Sequence, residues 1–120
     1  MLTTPVSVRI FLAAGVTDLR KGFDGLSAAV SSILGREVLS GEVFLFCNRR
    51  RDRVRALYWD GTGLWVSTKR LEQGTFAWPE RGAGSDRRVE LRADELAALL
   101  GGLDLSQSSR RRWYERRASG

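Results

Sequence analysis

FLFCNRRRDRVRALYWDGTGLWVSTKRLEQGTFAWP, residues 44–79, carries the pattern that decides the fold. Val43, Leu45 and Cys47 alternate with Phe44 and Phe46, so both faces of this segment are apolar. That is the signature of an interior strand. After Arg49–Asp52 the alternation resumes, with Val54, Ala56 and Tyr58 on one side and Arg55, Leu57 and Trp59 on the other. Asp60-Gly61-Thr62-Gly63 predicts a tight hairpin turn, because glycine takes positive φ freely. The return strand runs Leu64–Lys69, Gln73-Gly74 turns the chain again, and Thr75–Trp78 reads as a short fourth strand closed by Pro79.

Outward from this stretch the signals stay regular. Val6, Val8, Ile10 and Leu12 alternate with Ser7, Arg9 and Phe11, which predicts a strand with one face inward. Phe23, Leu26, Val30, Ile33 and Leu34 fall on one side of a helix that Gly35 ends. Thr17 or Asp18 can cap an early turn, and Asp24 can serve the main helix. Residues 80–86 read as a flexible loop, and Arg87–Leu91 as an edge strand blunted by charge. Asp94–Leu100 forms a short helix with Leu96, Leu99 and Leu100 as its apolar face. The expected fold is α+β: one domain over residues 1–105, with a twisted, mostly antiparallel sheet of about five or six strands. One long and one short helix pack on it, and residues 106–120 form a basic tail expected to be disordered in isolation.

Composition narrows the chemistry. The chain has 120 residues, enough for one modest core, and carries a net charge of +6. The tail holds five arginines against Glu115, a net of +4, which leaves +2 for residues 1–105. Eighteen of the 20 cations are arginine, a bias that suits bidentate phosphate contact but that a GC-rich genome also produces. No apolar run approaches the ~20 residues of a membrane helix, and the first residues lack the charged start of a signal peptide. The single cysteine, Cys47, cannot form an internal disulfide and fits a reducing cytoplasm. Without histidine there is no imidazole base, triad or imidazole–zinc site, and one cysteine builds no thiolate cluster. No Walker-type or dinucleotide loop is present, so neither cofactor nor resident metal is expected. Asp18, Asp24, Asp52, Asp60 and Glu72 could gather around Mg²⁺, but each has a simpler use as a cap, turn or ion-pair residue.

The basic and aromatic residues carry more. Arg49, Arg50, Arg51, Arg53 and Arg55 oppose only Asp52, a net of +4 in seven residues. On a strand Arg51, Arg53 and Arg55 share one face, and the hairpin brings Lys69 and Arg70 close to Arg53. Such a ribbon can track phosphates or enter a DNA groove. The bland alternative is a solvated loop. Tyr58, Trp59, Trp65, Phe76 and Trp78 can stack on bases or simply fill the core. Arg20 and Lys21 oppose the macrodipole of the helix they precede, which calls for a bound anion or an ion pair with Asp18 or Asp24.

Four blocks in order, DLRKGFDGL (18–26), FLFCNRRRDRVRALYWDGTGL (44–64), TKRLEQGTFAWP (68–79) and ELAALLGGLD (95–104), resemble the small accessory protein of the insertion-sequence 66 family. This is the TnpB-type product of that element's second reading frame. The resemblance implies a bacterial transposition factor encoded beside a large transposase that holds the catalytic acids. It directs attention to Asp18, Arg20, Lys21, Gly22, Asp24 and Gly25; to Arg50, Asp52, Trp59, Asp60 and Gly63; and to Lys69, Arg70, Glu72, Gly74, Trp78 and Pro79. Two positions depart from the pattern: Arg55 stands where lysine is usual, and Arg92-Ala93 replaces a small polar cap on the last helix. Three functions follow as expectations. The first is a non-catalytic cofactor of the transposase that contacts DNA at the element ends. The second is a protein adaptor of the transposase without DNA contact, and the third a small metal-dependent nuclease. An oligomer is compatible with each.

Overall fold

The computed structural model describes residues 8–82 and 86–101. The interior strand expected at residues 43–47 is the spine of the sheet. Strand β2 (Val43–Cys47) lies between β1 (Ile10–Ala13) and β3 (Arg53–Trp59). β4 (Leu64–Arg70) continues beyond β3, and β5 (Arg88–Leu91) lies beyond β1. The order is β4-β3-β2-β1-β5. All neighbours are antiparallel except β1 and β2, which run parallel with Ile10 opposite Val43.

A parallel pair needs a crossover, and α1 (Gly22–Ser32) supplies it. Leu26, Ala29, Val30 and, just past the helix, Leu34 bury against Phe11, Phe44, Phe46 and Leu57 on one face of the sheet. The other face carries Leu12, Leu45, Cys47 and Val54, covered by Phe76, Trp78 and Leu99. Leu99 belongs to α2 (Ala93–Leu100), whose Leu96 and Leu100 pack beside it. The α+β domain with one longer and one shorter helix is thus as expected, with five strands among the described residues.

Four local expectations change. β1 is buried on both faces, not one, because β5 flanks it and α1 covers Phe11, which is only 2% exposed. Phe23 is not core: it is 52% exposed at the first turn of α1. No side chain caps α1, so Asp24 lies in its first turn without closing it. Asp18 instead caps the preceding 3-10 turn (Leu19–Lys21) by accepting the Arg20 backbone N–H at 3.0 Å.

The fourth change matters most for function. Thr75–Trp78 is not a strand. The backbone N–H of Leu71 donates to the Asp52 carbonyl at 2.8 Å, and that of Phe76 to Arg51 at 2.7 Å. The Trp78 indole donates to the Ala13 carbonyl at 2.9 Å, and Gly15 N–H to the Pro79 carbonyl at 2.9 Å. Partners so widely spaced form no ladder. Residues 71–79 form a strap that crosses the ends of β1–β3 and buries Phe76 and Trp78 beneath them.

The start of α2 is also pinned. Its Arg92-Ala93 entry offers no acceptor, but Glu95 accepts the Arg92 backbone N–H at 2.7 Å, the return half of a capping box. The strand residue Val6 and the basic tail at 106–120 lie outside the described residues.

Candidate nucleic-acid interface

The carboxyl ends of the parallel pair β1 and β2 open side by side, where ligands of open α/β sheets commonly bind. Two loops leave there. The first, residues 14–18, is tied down by four contacts. Thr17 N–H donates to the Cys47 carbonyl at 2.8 Å. Arg87 donates to the carbonyls of Ala14 and Val16 at 2.8 and 2.9 Å and to Thr17 Oγ1 at 3.2 Å. Burial lowers the Arg87 pKa.

The second loop is the β2–β3 turn. Asn48 shapes it: Oδ1 accepts the N–H groups of Asp52 and Arg53, and Nδ2 donates to Asp52 at 2.7 Å. That side-chain bond, more than any arginine, holds the Asp52 carboxyl below its usual pKa. Between the loops lies an open groove of about 550 Å³. Arg20, Arg49, Arg50, Arg53 and Arg55 line it against one acid, Asp18, a net of five minus one, or +4.

The nine basic residues singled out from the sequence divide sharply. Arg49, Arg50 and Arg53 line the groove; no hydrogen bond or ion pair among the described residues holds their guanidinium groups, and the charges of Arg53 and Arg50 reach the Asp52 carboxyl only through space. Arg70 stands directly across from Arg53 in the β3–β4 ladder, so the two point to the same face. Arg20 also lines the groove but pairs with Asp18 at 3.0 Å, with both side chains well exposed. The Arg20 side chain and backbone N–H together take the Asp18 carboxyl down to about 2. Lys21 is exposed and makes no hydrogen bond or ion pair among the described residues, its charge adds to the pull on Asp18, and its side chain lies near Gly25. A Cβ at position 25 would stand 2.2 Å from the Lys21 Cβ, which accounts for Gly25. Gly22, at φ 73° and ψ −165°, is the joint between the 3-10 turn and α1, a conformation that β-carbons resist.

Three residues hold the site together instead of facing a ligand. Arg55 lines the groove, but it donates to the Leu19 carbonyl at 2.7 Å and to Thr68 at 3.2 Å, anchoring the 3-10 turn to the sheet. Arg51 does not share a face with Arg53 and Arg55. Its φ of 62° breaks the strand alternation, and its guanidinium pairs with Glu80 beyond the strap. Lys69 lies on the opposite face from Arg70, where Nζ donates to the Leu100 carbonyl at 2.6 Å and closes the end of α2.

The carboxylates do not gather. Among the described residues no three of Asp, Glu and Cys come together as cation ligands. Asp60, at the far end of the hairpin, accepts from Thr62 and Gly63 N–H, from the Thr62 hydroxyl and from the Trp65 indole. Of the aromatics, Phe76 and Trp78 are core, whereas Trp65 is 52% exposed and stacks on Tyr58 at 6.1 Å. Asn48 and Arg87 were not singled out from the sequence, and Thr17 was named there only as a possible turn cap. Asn48 before a polar run is a recognisable turn former; Arg87 has no local signal, since its partners lie some 70 residues away.

These features belong to a recognisable group. The IS66 Orf2-like family model matches residues 8–110, and the chain belongs to that family. It is therefore associated with an insertion sequence and its transposition. Two proteins of Sinorhizobium fredii (strain NBRC 101917 / NGR234), both titled uncharacterized, are similar to it. One, y4jC, is 38% identical over 104 residues, covering 87% of this chain and 86% of its own. The other, y4hO, is 35% identical over 104 residues, covering 87% and 88%. No solved structure matches. No helix among the described residues is long and apolar enough to cross a membrane.

Proposed function

We propose that this protein is a non-catalytic accessory factor of transposition that contacts DNA through the arginine groove, beside the transposase of the same element in the cytoplasm. One observation carries the reading. Arg53 and Arg70 face each other across the β3–β4 ladder, and neither forms an ion pair with a carboxylate among the described residues. Like charges directly opposite on antiparallel strands are destabilising. A polyanion laid between them turns that cost into binding energy, and Arg49 and Arg50 extend the cationic surface from Arg53 along the groove that these three line.

The test is binding to a duplex carrying the element's ends, across a salt series. Four phosphate contacts give a slope of about −3.6 in log affinity against log salt. Arg53→Ala with Arg70→Ala should lower that slope by about 2 and weaken binding to all sequences alike. No binding by the intact protein at low salt sinks the proposal.

A second reading has one observation in its favour. The stack of half-buried Tyr58 and exposed Trp65 sits at the opposite end of the hairpin from Arg53 and Arg70, and it suits an adaptor that docks on the transposase. Co-purification with transposase after nuclease treatment, lost on Trp65→Ala but kept in the double arginine variant, selects that reading.

A further inference from the structure

Asp18 is the one carboxylate that lines the arginine groove. By charge alone it works against a polyanion, since it offsets one of five guanidinium groups. Nor does it add much as a salt bridge. The Arg20 side chain is 91% exposed and that of Asp18 46%, and exposed pairs of this kind contribute little to stability. Its geometry gives it another use. Oδ1 accepts the Arg20 backbone N–H and the Arg20 Nε–H, each at 3.0 Å, and Oδ2 accepts from Nη2 at 3.1 Å. One carboxylate thereby ties the Arg20 side chain to its own backbone. Arg55 in turn fixes that backbone to the sheet by donating to the Leu19 carbonyl at 2.7 Å.

The pairing is side-on: Asp18 takes the Nε N–H and one N–H of Nη2. The end-on edge, formed by Nη1 and the second N–H of Nη2, meets no acceptor among the described residues. Two parallel N–H groups of this kind match two oxygens of one phosphate. No other arginine lining the groove is placed in this way. Arg55 donates to Leu19 and Thr68, and no hydrogen bond or ion pair among the described residues orients Arg49, Arg50 or Arg53.

We infer that Arg20 is a fifth phosphate contact of the groove and that Asp18 is the positioning residue that aims it, so that the groove's one acid strengthens DNA binding. The inference rests on the proposed function and deepens it, adding a contact that a count of unpaired cations leaves out. An arginine already held in place loses less side-chain freedom when the phosphate arrives.

Fluorescence anisotropy with a labelled duplex carrying the element's ends, over a salt series, decides it. Five contacts give a slope of about −4.5 in log affinity against log salt, and Arg20→Ala should bring it to about −3.6. Asp18→Asn keeps an oxygen for the Arg20 backbone N–H, so its circular dichroism spectrum should match that of the parent. Although it removes a negative charge, it should weaken binding by about 2- to 10-fold. In an Arg20→Ala background the same change should weaken binding no further. Asp94→Asn makes an equal charge change at the similar side-on pair of Arg92 and Asp94, neither of which lines the groove, and should not weaken binding. Tighter or unchanged binding by Asp18→Asn, a further loss in the Arg20→Ala background, or a salt slope that Arg20→Ala leaves unchanged overturns the inference and leaves the proposed function standing. No binding by the intact protein at low salt overturns both.

Discussion

Asp60 shows how one carboxylate can organise a hairpin. Four donors converge on it, and the two backbone N–H groups with the Trp65 indole hold its carboxyl far below the ordinary aspartate range. A depressed folded-state pKa gives stability that is fully present above the unfolded value of about 4 and is lost as pH falls toward the folded value. Asp60→Asn should therefore lower the midpoint of urea unfolding at pH 7, and the difference from the parent should shrink at pH 3 and below. Unchanged midpoints at pH 7 would mean that the charge is not what holds the turn. Arg53 and Arg70 make the opposite prediction. Replacing either with Ala should stabilise the free protein by about 0.2–1 kcal/mol while weakening DNA binding, since a like-charge pair is relieved. Asp60 could be recognised from D-G-T-G alone. Lys69 and Arg70 could not both be assigned to the arginine face, because adjacent strand residues point to opposite sides. Arg51 escaped for a different reason: positive φ at a non-glycine residue leaves no mark in the sequence.

At the scale of elements, the strap over residues 71–79 is the part that sequence patterning misread. Gln73-Gly74 and the apolar alternation of Phe76 and Trp78 were real signals, and both side chains are core. What alternation cannot convey is that the strap's hydrogen-bond partners are Arg51 and Asp52 in the β2–β3 turn and Ala13 and Gly15 at the end of β1. Trp78 is 4% exposed, and its indole N–H satisfies the Ala13 carbonyl. Trp78→Phe leaves that carbonyl without its indole donor and should cost about 1–3 kcal/mol in chemical denaturation. Arg87 acts on the same corner from β5's side. Arg87→Ala should speed amide exchange at Thr17 and weaken DNA binding without removing any groove arginine. Amide exchange as slow as in the parent would show that the loop holds its shape unaided.

For the whole molecule, the interior position of β2 is the feature that the sequence announced most clearly, through apolar residues on both of its faces. Its parallel pairing with β1 was less legible, since one strand's pattern does not state which neighbour it takes. Cys47, at the end of β2, is fully buried, and its thiol is pushed up to about 12 by burial. Alkylation of the native protein near pH 8 should therefore proceed only through opening of the sheet, and its rate should rise with denaturant as global unfolding does. Rapid labelling without denaturant would mean that the strap lifts locally.

The groove's walls also set when it can exist. The first loop is held by Trp78, Pro79 and Arg87, residues that follow it by 65, 64 and 73 positions. A chain still being synthesised therefore lacks the last of the first loop's anchors until Arg87 has left the ribosome. The groove is complete only in the finished protein, and the arginines of the β2–β3 turn remain an unassembled half of it until then.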